Sequence, residues 1–399
     1  MSKTFEEIKA LEEELLFRTY NRYPLAIDHG KMSRLYDVNG KEYVDLLAGI
    51  AVAGLGHCHE ELCKVLYEQS HKFWHVSNLF YQEEQLELAS LLLKTTHHEK
   101  VFFCNSGAEA NEAAIKLARR YSQKIKQNTG YEIITLEGCF HGRTLATLAA
   151  TGRDELSDGF TPLPDGFLQV PVLDLNALEN AITNHTCAVL LEVVQGEAGV
   201  FSLPKDYLLG VEKICRDHNI LLICDEVQAG FCRTGRFWAF QIPGLKPDIM
   251  TSAKSLANGL PMGCMMATNE VAKGFVVGSH ATTFGGGALA SAVASKVVSI
   301  MLRDHLAERA AKLGVHLKNS LLTLKLKYPK KIKDVRGLGL MIGIELFENC
   351  PLVWQQLLER GFITSLCHGM TLRLLPALTI EEEDLQLFAK TLDEILATM

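Results

Sequence analysis

The chain has 399 residues, more than one hydrophobic core usually supports, so we predict two domains. Apolar residues make up 48% of the chain and charged residues 22%, a composition typical of a soluble globular enzyme. No basic cluster offsets the formal net charge of −7, which argues against a nucleic-acid partner.

The start of the chain predicts a helix rather than a targeting segment. It reads MSKTFEEIKALEEELL and is acidic and amphipathic, which is the pattern of neither a signal peptide nor a transit peptide. The longest apolar run, from Leu46 to Leu55, is too short to cross a bilayer. We therefore expect a cytosolic protein with no membrane partner.

The cysteine pattern indicates neither disulfides nor a metal site. The eleven cysteines are scattered, and none forms a Cys-x-x-Cys pair. His57, Cys58, His59 and Cys63 lie close together, but their spacing matches no zinc pattern. We interpret this cluster as structural and expect no metal.

The segment after the first helix predicts a small N-terminal lobe. Two alternating runs in RLYDVNGKEYVDLL are joined by Asn39-Gly40, which favours a type I′ hairpin turn because both central positions need positive φ. From Glu60 the pattern becomes helical. The apolar face of this helix comprises Leu62, Val65, Leu66 and Phe73.

The sequence VFFCNSGAEANEAAIKLARRYSQ has the form of a phosphate site. We predict a strand from Val101 to Cys104, a tight turn at Asn105-Ser106-Gly107, and a helix from Ala108. Free N–H groups and the helix dipole would face an anion, and the Ser hydroxyl adds a donor. Taken alone, an ordinary strand-to-helix turn is the commoner interpretation. The buried stripe of the helix is predicted to be Ala110, Ala114, Leu117, Ala118 and Tyr121.

Strands and helices then alternate, which predicts a parallel sheet with helices on both faces. The predicted elements are a strand at Glu132 to Leu136, a helix from about Arg143, a strand at Ala188 to Val194, a helix at Asp206 to His218 and a strand at Leu221 to Asp225.

Two residues near the middle of the chain carry the candidate chemistry. Asp225 ends one apolar run, and Lys254 follows a second run that starts at Ile249. If both runs are strands of one parallel sheet, a carboxylate and an amine reach the same sheet edge, as pyridoxal phosphate requires. A lone lysine is more often a surface charge. The strand ending in Asp-Glu also resembles that of a P-loop ATPase, but no Gly-Lys-Ser or Gly-Lys-Thr loop precedes it.

The C-terminal part predicts a second small-domain segment. KDVRGLGLMIGIEL and TLRLLPALTI read as strands, and the glycines of the first open a strand rather than the helix of a dinucleotide site. Thr379 and Glu382 have capping-box spacing before the closing helix. We expect residues 1–58 in the small domain, 59–301 in a large cofactor-binding domain and 302–399 in the small domain. The apolar face of the long helix comprises Leu306, Ala310, Leu313, Leu317, Leu321 and Leu324, and that of the closing helix Leu385, Phe388, Leu392 and Ile395.

Taken together, these motifs resemble the class III, ornithine-type aminotransferases, which are fold-type I pyridoxal phosphate enzymes. The segments that carry the resemblance are NSGAEANEAAIK, FHGRT, EVVQGEAGV, CDEVQAGFCRTG, AKSLANG and TTFGG. The resemblance runs from about Tyr20 to the final helix. It implies an α/β fold with a large, mainly parallel sheet domain and a smaller α+β domain.

The resemblance also implies how the chain holds pyridoxal 5′-phosphate. Lys254 would be the Schiff-base lysine, and Asp225 would pair with the pyridine nitrogen. The remaining cofactor residues would be Val227 and Phe140 on the two ring faces, Gln228 near the phenolic oxygen, Ser106, Gly107 and Ala108 at the phosphate, and Thr283 from the second subunit of a homodimer.

For the substrate, the resemblance implies that Arg143 binds a carboxylate and that Glu197 pairs with Arg373. The chain departs from the family pattern at Val193, where Pro is usual, and at Gly287-Ala288, which replaces Asn-Pro. Neither departure removes a catalytic group, but the second can reshape the loop that carries Thr283.

The implied reaction moves the ω-amino group of a donor such as N2-acetylornithine to 2-oxoglutarate, a step of arginine biosynthesis. Ornithine, succinylornithine, succinyl-diaminopimelate and 4-aminobutyrate remain alternative donors. A racemase, mutase or decarboxylase on the same scaffold, or a binding protein without catalysis, remain alternative functions.

Overall fold

The computed structural model describes residues 3–399. The strands β1 to β17 are Ile27–Lys31, Arg34–Asp37, Glu42–Asp45, Lys100–Cys104, Glu132–Leu136, Phe167–Val170, Thr186–Leu191, Val194–Gln195, Phe201–Ser202, Leu221–Asp225, Ile249–Ser252, Gly263–Ala267, Ile332–Leu338, Met341–Leu346, Phe362–Ile363, Ser365–Cys367 and Thr371–Leu374. The helices α1 to α14 are Phe5–Leu15, Ala48–Ala51, Glu60–Ser70, Glu83–Leu93, Gly107–Arg120, Leu145–Thr151, Asp154–Ser157, Leu175–Ala181, Lys205–Asp217, Asn269–Ala272, Ala288–Arg303, Leu306–Lys327, Cys350–Glu359 and Glu382–Ala397.

The largest sheet has seven strands with the order β4-β12-β11-β10-β7-β5-β6. Strand β12 runs antiparallel to both neighbours, and the other pairings are parallel. Alternate residues of β7 enter two cores: Ala188 and Leu190 pack with residues of α5, and Val189 and Leu191 with residues of α9. Helices therefore cover both faces, and the predicted α/β fold is confirmed.

Three helices show why the apolar patterns predicted their elements well. Every residue of the predicted α5 stripe, from Ala110 to Tyr121, is buried. The predicted faces of α12 and α14 are buried as well. In each case the apolar residues recur at helical spacing, so one face can be removed from water while the other stays solvated.

The ends of the chain build two four-stranded sheets. One sheet has the order β1-β2-β3-β15 and the other β13-β14-β17-β16. Strand β15 pairs in parallel with β3, so Phe362 lies opposite Val44. This pairing supports a small domain formed by both ends of the chain, and we retain the bounds 1–58, 59–301 and 302–399 as a proposal.

Several local predictions were wrong in detail. In the hairpin of β2 and β3, only Gly40 has positive φ, at +80°, because Asp37 Oδ1 accepts from the backbone N–H of Asn39 and Lys41 and organises a longer turn. Thr379 forms no capping box, since its hydroxyl donates to Leu55 O and Glu381 occupies the N-cap of α14.

Other errors concern element bounds. Helix α6 begins at Leu145 rather than near Arg143, and the strand predicted to end at Val194 breaks after Leu191. Helix α3 ends at Ser70, so Phe73 lies beyond it.

The N-terminal cysteine and histidine cluster has an identifiable structural contact. Nε2 of His57 lies 2.7 Å from Oδ2 of the buried Asp45, while Cys58 and Cys63 are exposed. Within residues 3–399, no helix is both long enough and apolar enough to span a membrane.

Candidate active site

A cavity of about 410 Å³ lies beyond the carboxyl ends of β7, β10 and β11, next to the start of α5. All but two of the predicted site residues line it, namely Ser106, Gly107, Ala108, Phe140, Arg143, Glu197, Asp225, Val227, Gln228 and Lys254. Arg373 lies behind the wall, bonded to Glu197, and Thr283 lies in a neighbouring depression. The fold thus brings together residues that are far apart in the sequence.

Asp225 ends β10 and is only 4% exposed. Its Oδ2 accepts hydrogen bonds from Asn111 Nδ2 and His141 Nδ1, each at 2.8 Å. Its Oδ1 accepts from the backbone N–H of Val227 at 2.9 Å. Because a carboxylate offers about four acceptor positions, these three bonds fix the side chain and leave capacity toward the cavity.

A second layer of hydrogen bonds holds the donors to Asp225. Asn111 Nδ2 also donates to His141 O at 2.8 Å, and Asn111 Oδ1 accepts from Thr251 Oγ1 at 2.7 Å. Burial opposes protonation of His141, but Cys139 and Asp225 beside the ring raise the pKa of His141 well above its usual range. The Asp225 carboxylate therefore faces a fixed, electropositive set of donors.

Lys254 reaches the same edge of the sheet as Asp225. Both runs are strands of one sheet, as expected; β10 and β11 pair in parallel with Asp225 opposite Thr251, and Lys254 follows β11 with a positive φ of 46°. Burial is the main cause that lowers the pKa of Lys254, and Arg373 adds to it, while Glu197 and Asp225 oppose it. A lowered pKa increases the fraction of free amine, which is the nucleophilic and proton-accepting form.

The start of α5 forms an anion site. Ser106 is the N-cap, and its Oγ accepts from Glu109 N at 3.1 Å, which leaves its hydroxyl proton free to donate. A Cβ at Gly107 would lie 2.7 Å from Val227 Cγ1, and one at Gly263 would lie 2.3 Å from Ser106 O. Both glycines therefore permit close approaches, and the exposed N–H groups of the first turn suit a phosphate.

An ion pair forms one side of the cavity. Arg373 Nη1 lies 2.5 Å from Glu197 Oε1, and the Gln228 amide donates to Glu197 at 3.1 Å and accepts from Arg373 at 3.3 Å. Burial raises the pKa of Glu197, but Arg373 outweighs it and lowers the pKa below the usual range. Burial lowers the pKa of Arg373, but Glu197 outweighs it, so the pKa is raised and both partners are charged.

Arg143 offers a second cation at the cavity. Its guanidinium carbon lies 5.7 Å from the centroid of the Phe140 ring, and the side chain is exposed. None of the salt bridges within residues 3–399 involves Arg143. Its planar fork of donors is therefore available for a ligand carboxylate.

Thr283 is exposed and does not touch the main cavity. It lies in a depression of about 330 Å³ together with Asn105 and Glu109. Asn105 borders both spaces. Within one subunit, Thr283 is therefore placed beside the site rather than in it.

Sequence reasoning assigned no role to Asn111, His141 and Glu192, which also line the cavity. Each of the three has a feature in the sequence from which a role in the site could have been predicted. Asn111 is a polar residue on the otherwise apolar face of α5, and His141 lies inside the FHGRT motif. Glu192 follows a buried apolar strand, as Asp225 does.

This donor set fits a cofactor with an aldehyde, a ring nitrogen and a phosphate. The amine of Lys254 suits the aldehyde, the carboxylate of Asp225 suits a protonated ring nitrogen, and the helix start at Ser106 suits the phosphate.

Comparison with known proteins decides the family. The sequence model described as "Aminotransferase class-III" matches residues 17–396. The chain belongs to the class-III aminotransferases. Acetylornithine aminotransferase of Methanocaldococcus jannaschii is 44% identical over 388 residues, which cover 96% of each chain. The resemblance predicted from the motifs is confirmed.

Solved structures of the same fold agree. Ornithine aminotransferase from Toxoplasma gondii ME49 superimposes with a TM-score of 0.95 at 30% identity, covering 100% of this chain and 96% of that one. Acetylornithine aminotransferase from Elizabethkingia anophelis gives a TM-score of 0.89 at 32% identity, covering 100% of both chains.

Class-III aminotransferases use pyridoxal phosphate, and another structure of the T. gondii enzyme reveals partial occupancy of PLP at its active site. The predicted cofactor is therefore confirmed, and the chain is a pyridoxal phosphate-dependent aminotransferase.

Proposed function

We propose that this aminotransferase moves the ω-amino group of N2-acetylornithine to 2-oxoglutarate, giving N-acetylglutamate semialdehyde and glutamate in arginine biosynthesis. The observation that carries the proposal is the Glu197–Arg373 pair beside Lys254, with Arg143 free of any ion pair among the described residues. Relatives of 41% and 44% identity that carry the name acetylornithine aminotransferase support the same donor.

In this proposal three parts of the cavity hold the cofactor. Lys254 binds it covalently, Asp225 keeps its ring nitrogen protonated, and the N–H groups at Ser106, Gly107 and Ala108 bind its phosphate. When bound, the cofactor supplies an electron sink for the pair released as a substrate C–H bond breaks.

Three further residues would surround the cofactor ring. We place Phe140 and Val227 on its two faces, where their apolar surfaces exclude water, and Gln228 near its phenolic oxygen. Phe140, Val227 and Gln228 all line the cavity, which supports this arrangement.

Lys254 has a second task once substrate displaces it from the cofactor. Its free amine would take the proton from the substrate carbon as general base and would give the proton back as general acid later in the reaction. The burial that lowers its pKa supports this role, because the amine must lose and regain a proton at the working pH.

The two arginines would sort the two amino donors. Arg143 binds the carboxylate far from the reacting carbon in both N2-acetylornithine and glutamate. Glutamate carries a second carboxylate next to the reacting carbon, which Arg373 binds after release from Glu197. With the ω-amino donor, Glu197 keeps Arg373 neutralised. A charge-assisted bond of about 1.5–3 kcal/mol is small enough to be exchanged in this way.

Free ornithine is a second candidate donor. The TM-score of 0.95 with the T. gondii ornithine aminotransferase favours it, although the identity is only 30%. Succinylornithine, succinyl-diaminopimelate and 4-aminobutyrate also have an ω-amino group and a distant carboxylate. The donor therefore has to be assigned by direct comparison.

We also propose a homodimer that completes each site. Thr283 would reach the phosphate of the other subunit, which agrees with its position outside its own cavity. Large apolar side chains are exposed within residues 74–81 and directly after Thr283. A dimer of this kind would cover them. They are Trp74, Leu79, Phe80, Tyr81 and Phe284. The cytosolic location stays a prediction, which fractionation of cells would test.

The test starts from the protein loaded with pyridoxal phosphate. Glutamate alone should yield one equivalent of 2-oxoglutarate per site, which a racemase, a decarboxylase or a binding protein would not give. Turnover of N2-acetylornithine with 2-oxoglutarate should then exceed that of ornithine. A clear preference for ornithine would assign the second candidate.

The covalent role of Lys254 is tested separately. Borohydride reduction and peptide mass spectrometry should place the cofactor on the peptide that contains Lys254, and Lys254→Ala should abolish turnover while the protein stays folded. Lys273→Ala, at an exposed lysine paired with Glu270, is the control and should behave as the unmutated protein. Turnover in Lys254→Ala would refute the assignment.

A further inference from the structure

A second buried carboxyl group stands beside Asp225. Leu191 of β7 pairs with Cys224 of β10, so the next residues along these parallel strands are Glu192 and Asp225. Both line the cavity, and they are 5% and 4% exposed. The proposed function uses Asp225 and leaves Glu192 without a role.

Glu192 is tied to the turn that carries Phe140. Its Oε1 accepts from the backbone N–H of Phe140 at 2.8 Å, and this is the only hydrogen bond of its side chain within residues 3–399. The same turn carries His141, whose Nδ1 donates to Asp225. Glu192 therefore holds the turn that carries both Phe140, which is expected on one face of the cofactor ring, and His141, which supports Asp225. It has no assigned role in binding substrate.

Charged groups face Glu192 from four elements. They are His141 before α6, Asp225 at the end of β10, Glu197 after β8 and Lys254 after β11. Burial is the largest cause that raises the pKa of Glu192, to about 7; Asp225 and Glu197 also raise it, and His141 lowers it.

The charge balance at the strand ends argues for a neutral group. The cations at this edge are directed to Asp225, because His141 Nδ1 donates to its Oδ2 and the expected ring nitrogen would pair with the same carboxylate. A second buried carboxylate would need its own cation, because an uncompensated buried charge is costly. Within residues 3–399 no cation donates a hydrogen bond to Glu192, since its single side-chain hydrogen bond comes from the backbone N–H of Phe140.

We propose that Glu192 is a positioning residue that works as a neutral carboxylic acid. It holds the Phe140 turn against the cofactor ring and leaves Asp225 as the only negative charge beside the ring nitrogen. This inference rests on the proposed placement of the cofactor between Phe140 and Val227. It deepens that proposal by assigning opposite charge states to two adjacent carboxyl groups.

Two substitutions separate the contact from the charge. Glu192→Gln keeps an oxygen for the Phe140 N–H and cannot ionise, whereas Glu192→Ala removes both. Glu137→Gln makes the same change at an exposed carboxylate in the segment before Phe140 and is the control. Each variant is purified with pyridoxal phosphate bound and compared with the unmutated holoenzyme.

The first readout is the infrared band of protonated carboxylic acids, followed through a pH titration. The unmutated holoenzyme should lose part of this band with a midpoint near 7, the value toward which burial raises the pKa of Glu192. Glu192→Gln should lack that part, and Glu137→Gln should keep it. A titration unchanged in Glu192→Gln would overturn the neutral-acid assignment.

The second readout is the dissociation constant of pyridoxal phosphate, measured with kcat below neutral pH. Glu192→Gln should keep both within about threefold, and Glu192→Ala should weaken cofactor binding about tenfold through loss of one hydrogen bond. An inactive Glu192→Gln would show that the negative charge is needed. Normal cofactor binding in Glu192→Ala would show that the Phe140 contact is not used.

These readouts also distinguish this inference from the proposed function. If the unmutated protein fails to transaminate N2-acetylornithine, the donor assignment is lost. The infrared titration and the cofactor affinity still decide the role of Glu192, since neither depends on the donor.

Discussion

Arg373 Nη1 lies 2.5 Å from Glu197 Oε1, at the point where strand β17 meets the wall of the cavity. The side chain of Arg373 is 4% exposed and that of Glu197 is 29% exposed, so solvent reaches the pair from the carboxylate side. An incoming carboxylate would approach from this side. In the proposed donor selection, Glu197 thus keeps Arg373 neutralised and is also the partner that an incoming carboxylate meets first.

Glu197→Ala should change the balance between the two donors. The variant leaves Arg373 charged and unopposed beside Lys254, so kcat/KM should fall for N2-acetylornithine and stay level or rise for glutamate. Single-turnover kinetics of each half-reaction would measure this. Glu345→Ala is the matched control, because it breaks an equally short pair with Arg336 away from the cavity. Equal losses in both half-reactions would refute donor selection by this pair.

Asp225→Asn should lower kcat by orders of magnitude while the cofactor remains bound. The amide cannot balance the charge of a protonated ring nitrogen, although it can still accept from the Val227 N–H. Steady-state kinetics and the absorption spectrum of the bound cofactor give the two measurements. Asp217→Asn, at an exposed carboxylate paired with Lys213, should have no effect. Near-normal kcat in Asp225→Asn would mean that this acid is only structural.

Thr283→Ala should weaken pyridoxal phosphate binding by about tenfold to a hundredfold, the range for one bond to a charged group. Mixing it with Lys254→Ala gives a sharper test of the shared site. A mixed dimer would contain one site with both the intact Lys254 of one subunit and the intact Thr283 of the other. Cofactor affinity and turnover should return in the mixture, and no recovery after subunit exchange would contradict a site built from two subunits.

The burial of Glu226 leads us to predict a pH dependence of the free energy of unfolding that is separate from catalysis. Burial raises its pKa to about 8, opposed by hydrogen bonds from the backbone N–H groups of Ala239 and Phe240. The folded state therefore holds this proton more tightly than the unfolded chain. Its contribution to stability is complete below the ordinary range of Glu and is lost as the pH rises toward about 8.

Glu226→Gln cannot ionise and should flatten this dependence. Its amide group offers one acceptor fewer, so the free energy of unfolding should fall by about 1–3 kcal/mol at low pH. Between the ordinary range of Glu and about pH 8 it should lose less stability than the unmutated protein. Urea unfolding at several pH values measures both effects, with the exposed Glu270→Gln as control. An equal slope in both proteins would disprove the role of Glu226.

The sequence predicted those parts of the fold that a periodic apolar pattern determines. The stripe of α5, the strand ending at Asp225 and the face of α12 all follow from burial of one side of an element. The expectation that Asp225 and Lys254 reach the same sheet edge followed from the rule for strand ends, and the pairing of β10 with β11 agrees with it. Patterns of this kind repeat over several residues, so single irregular positions do not obscure them.

The errors occurred where one hydrogen bond outweighs a local preference. Asp37 reshapes the turn at Asn39-Gly40, and the contact of Thr379 with Leu55 removes a predicted cap. Both contacts depend on the local fold and cannot be read from a spacing. The supports of Asp225 were missed for a similar reason, since His141 contacts it across 84 residues of chain.

The parallel pairing of β3 with β15 determines when the N-terminal sheet can be completed while the chain is being synthesised. Val44 N donates to Gly361 O, and Leu46 N donates to Ile363 O. The N-terminal strands emerge first from the ribosome, yet β3 remains an open edge until Ile363 has been made. The part of the protein that is synthesised first is thus among the last to be finished, and a chain that stops before Gly361 would leave an exposed strand edge, a known site of aggregation.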